Sequence, residues 1–460
     1  MTVRHYLLLA LAVLAILAPA STTAAAGAEP AIPKVNHRTL LNDMTVAAVP
    51  LHQDRFVAHL LVASGAVFDP PGKSGTAHLT GRHLKAILRQ RTELEWAPRD
   101  PAQLPLAFDD AVDADGIRLT VSGPPAMLET AVRLLAETVI QPAFDPETFR
   151  TMRDAVRLED IRIEDQPQEV AGLEWQRLVF APFPYGNPPR GTPQSVGAVE
   201  LDDVIRFYRR CVTPSRSLLL ISSPAAAPEL RRLTSQFFGP WIKSEAPDYQ
   251  FQPPRPDPAV RTQAVRLPGA STASAVIGAE SVRRKHEDGL TGELLALVLQ
   301  RRLQPWLTEH PGVEAAAAAD ARMLRGAFRI SLSGDPAGLE PAAAEVMRQL
   351  REIAAGRFSE EEFQAARHHL AAERSRRLAD PDALLRELLE VEWFRLGTRH
   401  LATFDERLEL VIKEDLRYFA GHYLADERLK AVLVTGGDVP PAAWPAALQP
   451  VAARTWGQDR

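Results

Sequence analysis

Ser74-Gly75-Thr76-Ala77-His78-Leu79-Thr80-Gly81-Arg82-His83-Leu84-Lys85-Ala86-Ile87-Leu88-Arg89 reads as one helix carrying two histidines. Each residue of a helix advances about 100°, so histidines at i and i+4 lie about 40° apart and can share a metal ion. Here the pair is His78 and His83, and a spacing of five turns their rings about 140° apart, onto different faces. In the arrangement H-x-x-E-H, a glutamate between the histidines activates a metal-bound water. If His78 takes the place of the first histidine of that arrangement, the glutamate position falls on Gly81 and the second histidine position on Arg82. A guanidinium is a fixed positive charge, and at that place it repels a metal.

Upstream of this helix, Thr45 to Leu51 and Phe56 to Ala63 read as short apolar strands separated by a turn at His52-Gln53-Asp54-Arg55. Gly65 ends the second, and a loop with Pro70-Pro71-Gly72 leads into the helix. Downstream, Ile117, Leu119 and Val121 alternate with polar residues as in a half-buried strand. Leu128, Val132, Leu135 and Val139 keep helical spacing up to Pro142. A longer helix starts near Pro146 and carries Val156, Leu158, Ile161 and Ile163 before Pro167, and Leu218 to Ile221 is a further strand.

The second half repeats this order. Leu119-Thr120-Val121-Ser122-Gly123-Pro124-Pro125 is echoed by Ile330-Ser331-Leu332-Ser333-Gly334-Asp335-Pro336 at an offset of 211 residues, and Phe144-Asp145-Pro146-Glu147-Thr148-Phe149 by Phe358-Ser359-Glu360-Glu361-Glu362-Phe363 at 214. Asp203 to Phe207 matches Asp415 to Phe419 at 212, and Gly65 matches Gly278 at 213. Four blocks in one order at nearly one offset point to a duplicated domain. Between the halves, Gly239 to Val260 holds Pro240, Pro247, Pro253, Pro254, Pro256 and Pro258, a composition suited to a semi-rigid connector. The expected layout is a signal peptide over 1–28, an N-terminal domain over 33–238, a connector over 239–261 and a C-terminal domain over 262–445. In the helix expected from Ser359 to Leu378, acidic Glu360, Glu361 and Glu362 and basic Arg374, Arg376 and Arg377 suit the helix dipole and read as a solvated face.

Composition is ordinary for a globular chain of this length: 460 residues, 46% hydrophobic, 24% charged, net charge −5. No basic stripe with interleaved aromatics occurs, which argues against nucleic acid. Arg4 and His5 precede an apolar run from Tyr6 to about Ala18, followed by small residues with cleavage options at Ala26 or Ala28. The run is shorter than the ~20 residues of a membrane span, so a cleaved signal and a periplasmic or secreted protein without a stable span are expected. The single cysteine, Cys211, excludes an intrachain disulfide and reads as buried.

These segments together resemble the pitrilysin/insulinase family of metallopeptidases over nearly all of the mature chain. Leu41-Asn42-Asp43-Met44-Thr45-Val46 is similar to the family's strand entry, with Asp43 in place of the usual glycine, and Ser64-Gly65 and Pro71 to His78 follow its approach to the metal helix. The segment Leu158 to Pro167 resembles the one carrying the third zinc ligand, which falls on Glu159, and Phe183-Pro184-Tyr185-Gly186 matches the turn that follows. The resemblance implies an α+β fold of two tandem homologous domains, each a mainly antiparallel sheet packed against long helices, like that of mitochondrial processing peptidase. It also implies subunits that work in pairs around an unfolded peptide, one bearing zinc and the other gripping substrate with an arginine and a tyrosine. In the comparable stretch from Leu307 to Ala315 those positions are Thr308 and Ala315, while Arg302-Leu303 upstream still matches.

His78 and Glu159 are thus vestigial ligand positions, and Gly81, Arg82, Thr308 and Ala315 degenerate ones. No catalytic or metal-binding residue, and no cofactor, is expected. His78 is expected to be satisfied by local hydrogen bonds, Glu159 to lie on a charged helix face, and His368-His369 to be surface. The expected function is an exported, catalytically inactive subunit paired with an active zinc-bearing homologue. The alternatives are an active zinc endopeptidase with an atypical site of His78, His83 and Glu159, or a stand-alone envelope scaffold that binds peptide.

Overall fold

A computed structural model describes residues 32–96, 104–164, 166–255, 260–397, 399–437, 444–448 and 452–456. The expected signal peptide, Pro256 and Pro258 of the connector, and 438–443 of the C-terminal domain lie outside the described residues.

The N-terminal half runs β1 (Asn36–Thr39), β2 (Thr45–Val49), β3 (Phe56–Val62), α1 (Thr76–Trp96), β4 (Ala107–Val112), β5 (Ile117–Gly123), α2 (Leu128–Ile140), α3 (Pro146–Glu164), α4 (Pro167–Phe180), α5 (Pro193–Gly197), α6 (Leu201–Cys211), β6 (Ser217–Ser222) and α7 (Ala227–Phe238). Its six-stranded sheet has the order β1-β2-β6-β3-β5-β4, antiparallel except for β2 beside β6.

The C-terminal half runs β7 (Thr262–Arg266), β8 (Ala273–Ser281), α8 (Gly289–Glu309), β9 (Val313–Ala321), β10 (Gly326–Gly334), α9 (Pro336–Ala354), α10 (Glu360–Ala379), α11 (Pro381–Trp393), α12 (Phe404–Leu410), α13 (Lys413–Tyr423), β11 (Lys430–Thr435) and β12 (Ala452–Thr455). Its sheet, β12-β7-β11-β8-β10-β9, repeats the same path. The halves differ at one edge: β12 runs parallel to β7, whereas β1 runs antiparallel to β2.

The duplication read from the letters is present in the elements. α8 starts 213 residues after α1, α10 and α11 start 214 after α3 and α4, and α13 starts 212 after α6. The proline stops work as expected: α2 ends at Ile140, two residues before Pro142, and α3 ends at Glu164 before Pro167. Asp43, in the slot of a family glycine, has φ +70°, the left-handed conformation that glycine adopts without cost.

Both faces of each central strand are buried, which explains their unbroken apolar runs. In β3, Phe56, Ala58, Leu60 and Val62 pack with the helices of their own half, while Val57 and Leu61 join a cluster with Leu384, Leu385, Leu388 and Leu389 of α11. The converse holds across the molecule. α4 lies on β8 and β11 of the other sheet, where Val170, Ala171, Trp175 and Val179 meet Val265, Val276, Val432 and Val434. Trp175 Nε1 donates to the Lys430 carbonyl at 3.0 Å. Each half therefore lends one helix to the back of the other half's sheet.

Two hairpin turns close the seam. Tyr185, from the Phe-Pro-Tyr-Gly turn, donates its hydroxyl to Asp115 Oδ1 at 2.5 Å and accepts from the Leu324 N–H at 3.1 Å, while Asp115 Oδ2 accepts from the Met323 N–H at 3.1 Å. The connector is irregular but docked: the rings of Tyr249 and Phe251 lie 5.1 and 5.6 Å from Phe68. One expectation is corrected here. Arg374 is not on a solvated face but buried, bonded to Glu387 at 2.6 Å and stacked over Phe404, because α11 closes over that side of α10.

Candidate functional site

α1 is positioned by its first turn. The Asp69 carboxylate accepts from the N–H groups of Gly75 and Ala77, both at 2.7 Å, filling donors that a helix start leaves open. Burial pushes this carboxyl up to about 8, against the pull of those N–H groups. Gly75 and Gly191, at φ +98° and +88°, let the Arg190 loop lie directly on the start of the helix: a Cβ on Gly75 would sit 2.5 Å from the Arg190 carbonyl oxygen. The lead-in glycine thus brings Arg190 to the site.

His78 is buried, and neither ring nitrogen has a hydrogen-bond partner among the described residues. The expectation that local hydrogen bonds satisfy it is therefore corrected. The charges that act on the ring are mostly cationic, Arg82, Arg190 and Lys85 against the single carboxylate of Asp110. Burial first, and then the charge of Arg82, pull its pKa down to about 3, so the imidazole is neutral.

One turn on, Arg82 reaches Glu159 on α3, with Nη2 3.8 Å from Oε1, and Arg190 reaches the other carboxylate oxygen at 3.4 Å. Glu159 is thus not merely part of a charged helix face: it is clamped between two guanidinium groups. Asp110 of β4 also acts on His78 electrostatically, but Lys85 of α1 holds it in an ion pair. Arg190 and Asp110 were not legible as site residues, since the loop and strand that bring them in are distant in the chain; Lys85 is on α1 itself, but its pairing with Asp110 depends on that strand.

Gly81 is in close contact with the sheet. A Cβ there would stand 2.6 Å from Val112 Cγ2 and 3.2 Å from Ile117 Cγ2. The space a glutamate side chain would need at this position is filled by the valine.

His83 points elsewhere. Its ring meets Phe144 edge-on at 5.1 Å and lies over Phe149 at 6.5 Å, and its Nε2 accepts from the Asp145 N–H at 3.4 Å. α1 is α-helical throughout, so nothing rotates His83 towards His78. Thr308 and Ala315 lie in the other half. Thr308 is exposed near the end of α8 and donates back to the Gln304 carbonyl; Ala315 pairs with Leu332 on the edge strand β9. His368 and His369 are exposed and Cys211 is buried, as read.

The structure therefore brings Arg82 to Glu159, one helical turn on from His78, while His83 turns aside. A zinc site needs three or four convergent donors. His78 and Glu159 could serve, but the guanidinium of Arg82 stands where the third donor belongs, so this donor set does not fit zinc. Among the described residues no three His, Cys, Asp or Glu side chains come together as a metal site.

Comparison with known proteins identifies the family. Residues 46–191 match the Insulinase family (peptidase family M16), and residues 198–370 match the peptidase M16 inactive domain. An uncharacterized zinc protease of Mycobacterium leprae is 29% identical over 112 residues, 24% of this chain and 25% of that protein. A zinc protease of Helicobacter pylori is 22% identical over 282 residues, 60% of this chain and 63% of that protein. These matches thus span less than two thirds of either relative. Among solved structures, a protease from Helicobacter pylori superposes with TM-score 0.77 at 18% identity, covering 88% of this chain and all of that one. A peptidase M16 inactive domain from Pseudomonas fluorescens gives 0.76 at 18%, over 88% of this chain and all of that one. A chain of complex III2 from Candida albicans gives 0.73 at 13%, over 87% and 96%. With both halves matched in order and the fold shared along its length, the chain belongs to the pitrilysin/insulinase family, peptidase family M16.

Proposed function

We propose that this chain is an exported, catalytically inactive member of the family that serves as the zinc-free subunit of a heteromeric peptidase, helping to enclose unstructured peptides. The observation that carries the reading is the guanidinium of Arg82, which pairs with Glu159 and bears electrostatically on His78, with Gly81 packed against Val112 where the base would stand. A permanent cation takes the place of the metal, and no described group is placed to activate a water. The loss of arginine and tyrosine at Thr308 and Ala315 extends the same reading to the substrate grip.

Pairing is supported by two further features. Leu158 and Ile161 flank Glu159 on α3 and are 61% and 43% exposed, an apolar stripe that a second subunit would cover. The likeness to a chain of complex III2, a multisubunit assembly, points the same way. The N-terminal apolar run supports export.

The test is co-purification with an intact H-x-x-E-H homologue encoded nearby, with metal analysis of each chain. A complex with zinc on the homologue alone, whose peptide cleavage survives Arg82→Ala here, is the expected result. Stoichiometric zinc on this chain, with metal-dependent cleavage by it alone, would overturn the proposal, and a monomer with no copurifying peptidase would favour a stand-alone scaffold.

A further inference from the structure

We propose a second site, on the opposite side of the N-terminal sheet's order from β4: the cavity between β1 and α7 receives the headgroup of an anionic phospholipid, and Leu41 and Ile242 enter the bilayer beside it.

The cavity measures about 290 Å³. Its floor is apolar and buried, made by Val46, Ala48 and Leu230, and its exposed cations are Lys34, Arg38 and Arg231. Among the described residues no aspartate or glutamate lines it. Three cations over an apolar floor match a ligand that is anionic at one end and hydrocarbon at the other. Asp43 and Glu392, the carboxylates bonded to this region, are held by Lys243 and His37.

The second observation is independent. Leu41 is 104% exposed and Ile242 83%, on the two loops that follow β1 and α7, the elements that wall the cavity. These loops are joined: Asn42 Nδ2 donates to the Phe238 and Trp241 carbonyls, both at 2.9 Å, and Lys243 Nζ lies 2.5 Å from Asp43. A single exposed leucine is ordinary. Two aliphatic tips held out together beside a cavity of one charge sign are what interfacial docking requires, apolar insertion plus attraction to anionic lipid.

The test is flotation of the exported chain, after removal of the expected signal peptide (1–28), with vesicles of phosphatidylglycerol and phosphatidylethanolamine against vesicles of phosphatidylcholine. Arg231→Glu, a change of two charge units, should weaken binding to the anionic vesicles roughly thirtyfold, and Lys34→Glu similarly, with circular dichroism unchanged. Leu41→Asp with Ile242→Asp should reduce flotation about tenfold or more, yet leave calorimetric binding of monomeric dihexanoyl-phosphatidylglycerol intact. Equal flotation on both vesicle types, or flotation indifferent to Arg231→Glu and Lys34→Glu, would overturn the proposal. So would inorganic phosphate binding as tightly as the short-chain lipid, which would make this a small-anion site.

Discussion

Arg82→His should turn the cluster around His78 into a metal site. The substitution removes an ion pair at 3.8 Å whose side chains are 31% and 46% exposed, worth at most about 1 kcal/mol, so the fold should tolerate it. Glu159 keeps its contact with Arg190 at 3.4 Å. The new imidazole stands four residues after His78 and about 40° from it around the helix, facing the same carboxylate. Three donors then converge, and among the described residues the ring nitrogens of His78 have no partner to give up. Zinc at a hundred times its dissociation constant would stabilise the variant by about 2.7 kcal/mol. Urea unfolding at pH 7.5 with and without zinc reads this directly, and calorimetry gives the stoichiometry. The unsubstituted chain should show no shift, and the variant should still cleave nothing, because position 81 supplies no base. A zinc shift of the same size in the unsubstituted chain would refute the claim that Arg82 excludes the metal. No shift in the variant would refute the claim that His78 and Glu159 remain in ligand positions.

Further outcomes follow from the same geometry. Gly81→Ala should cost up to about 2 kcal/mol, since overpacking against Val112 by about 1–3 kcal/mol exceeds the helix-propensity gain of about 1 kcal/mol; Val112→Ala should remove that loss, and an equal loss in both backgrounds would refute the contact. His78, held neutral by burial at a pKa of about 3, binds its proton in the unfolded chain first, so its contribution falls as pH drops from about 6.5 towards 3. His78→Leu should therefore gain about 1.4 kcal/mol on the native chain between pH 7.5 and 5.5 in urea unfolding, and a constant difference would contradict a neutral ring. Asp43→Gly should relieve the left-handed backbone by about 1 kcal/mol, less the exposed pair with Lys243, and a lower urea midpoint would show that the pair dominates. Trp175→Ala should cost about 3–5 kcal/mol and lower one shared thermal transition; a separate transition for one half would mean that the halves fold independently.

Much of this fold was legible because its strongest signals are local. Apolar runs such as Phe56 to Val62 stand out when a strand is buried on both faces, and the two halves spell the same order at one offset. Other elements depended on partners far away in the chain. Val313 to Ala321 is largely alanine, a helix former, and becomes a strand because β10 pairs along its whole length. The acidic β4, with Asp109 and Asp110, is a poor strand by propensity; Lys85 neutralises one of those charges from α1. At the site, the broken metal motif was readable from helical spacing, as was the divergence of His78 and His83. The clamp on Glu159 was not, because Arg190 arrives through a glycine-permitted contact between two loops.

The exchange of α4 and α11 between the halves has a consequence for how such a chain can be taken apart. A cut in the proline-rich segment would sever the polypeptide without separating the molecule, since the lent helices, and not the tether, hold the sheets together. Expressed alone, either fragment would lack its back cover and present bare valines and leucines to water. Complementation from two co-expressed pieces should succeed where each piece by itself precipitates.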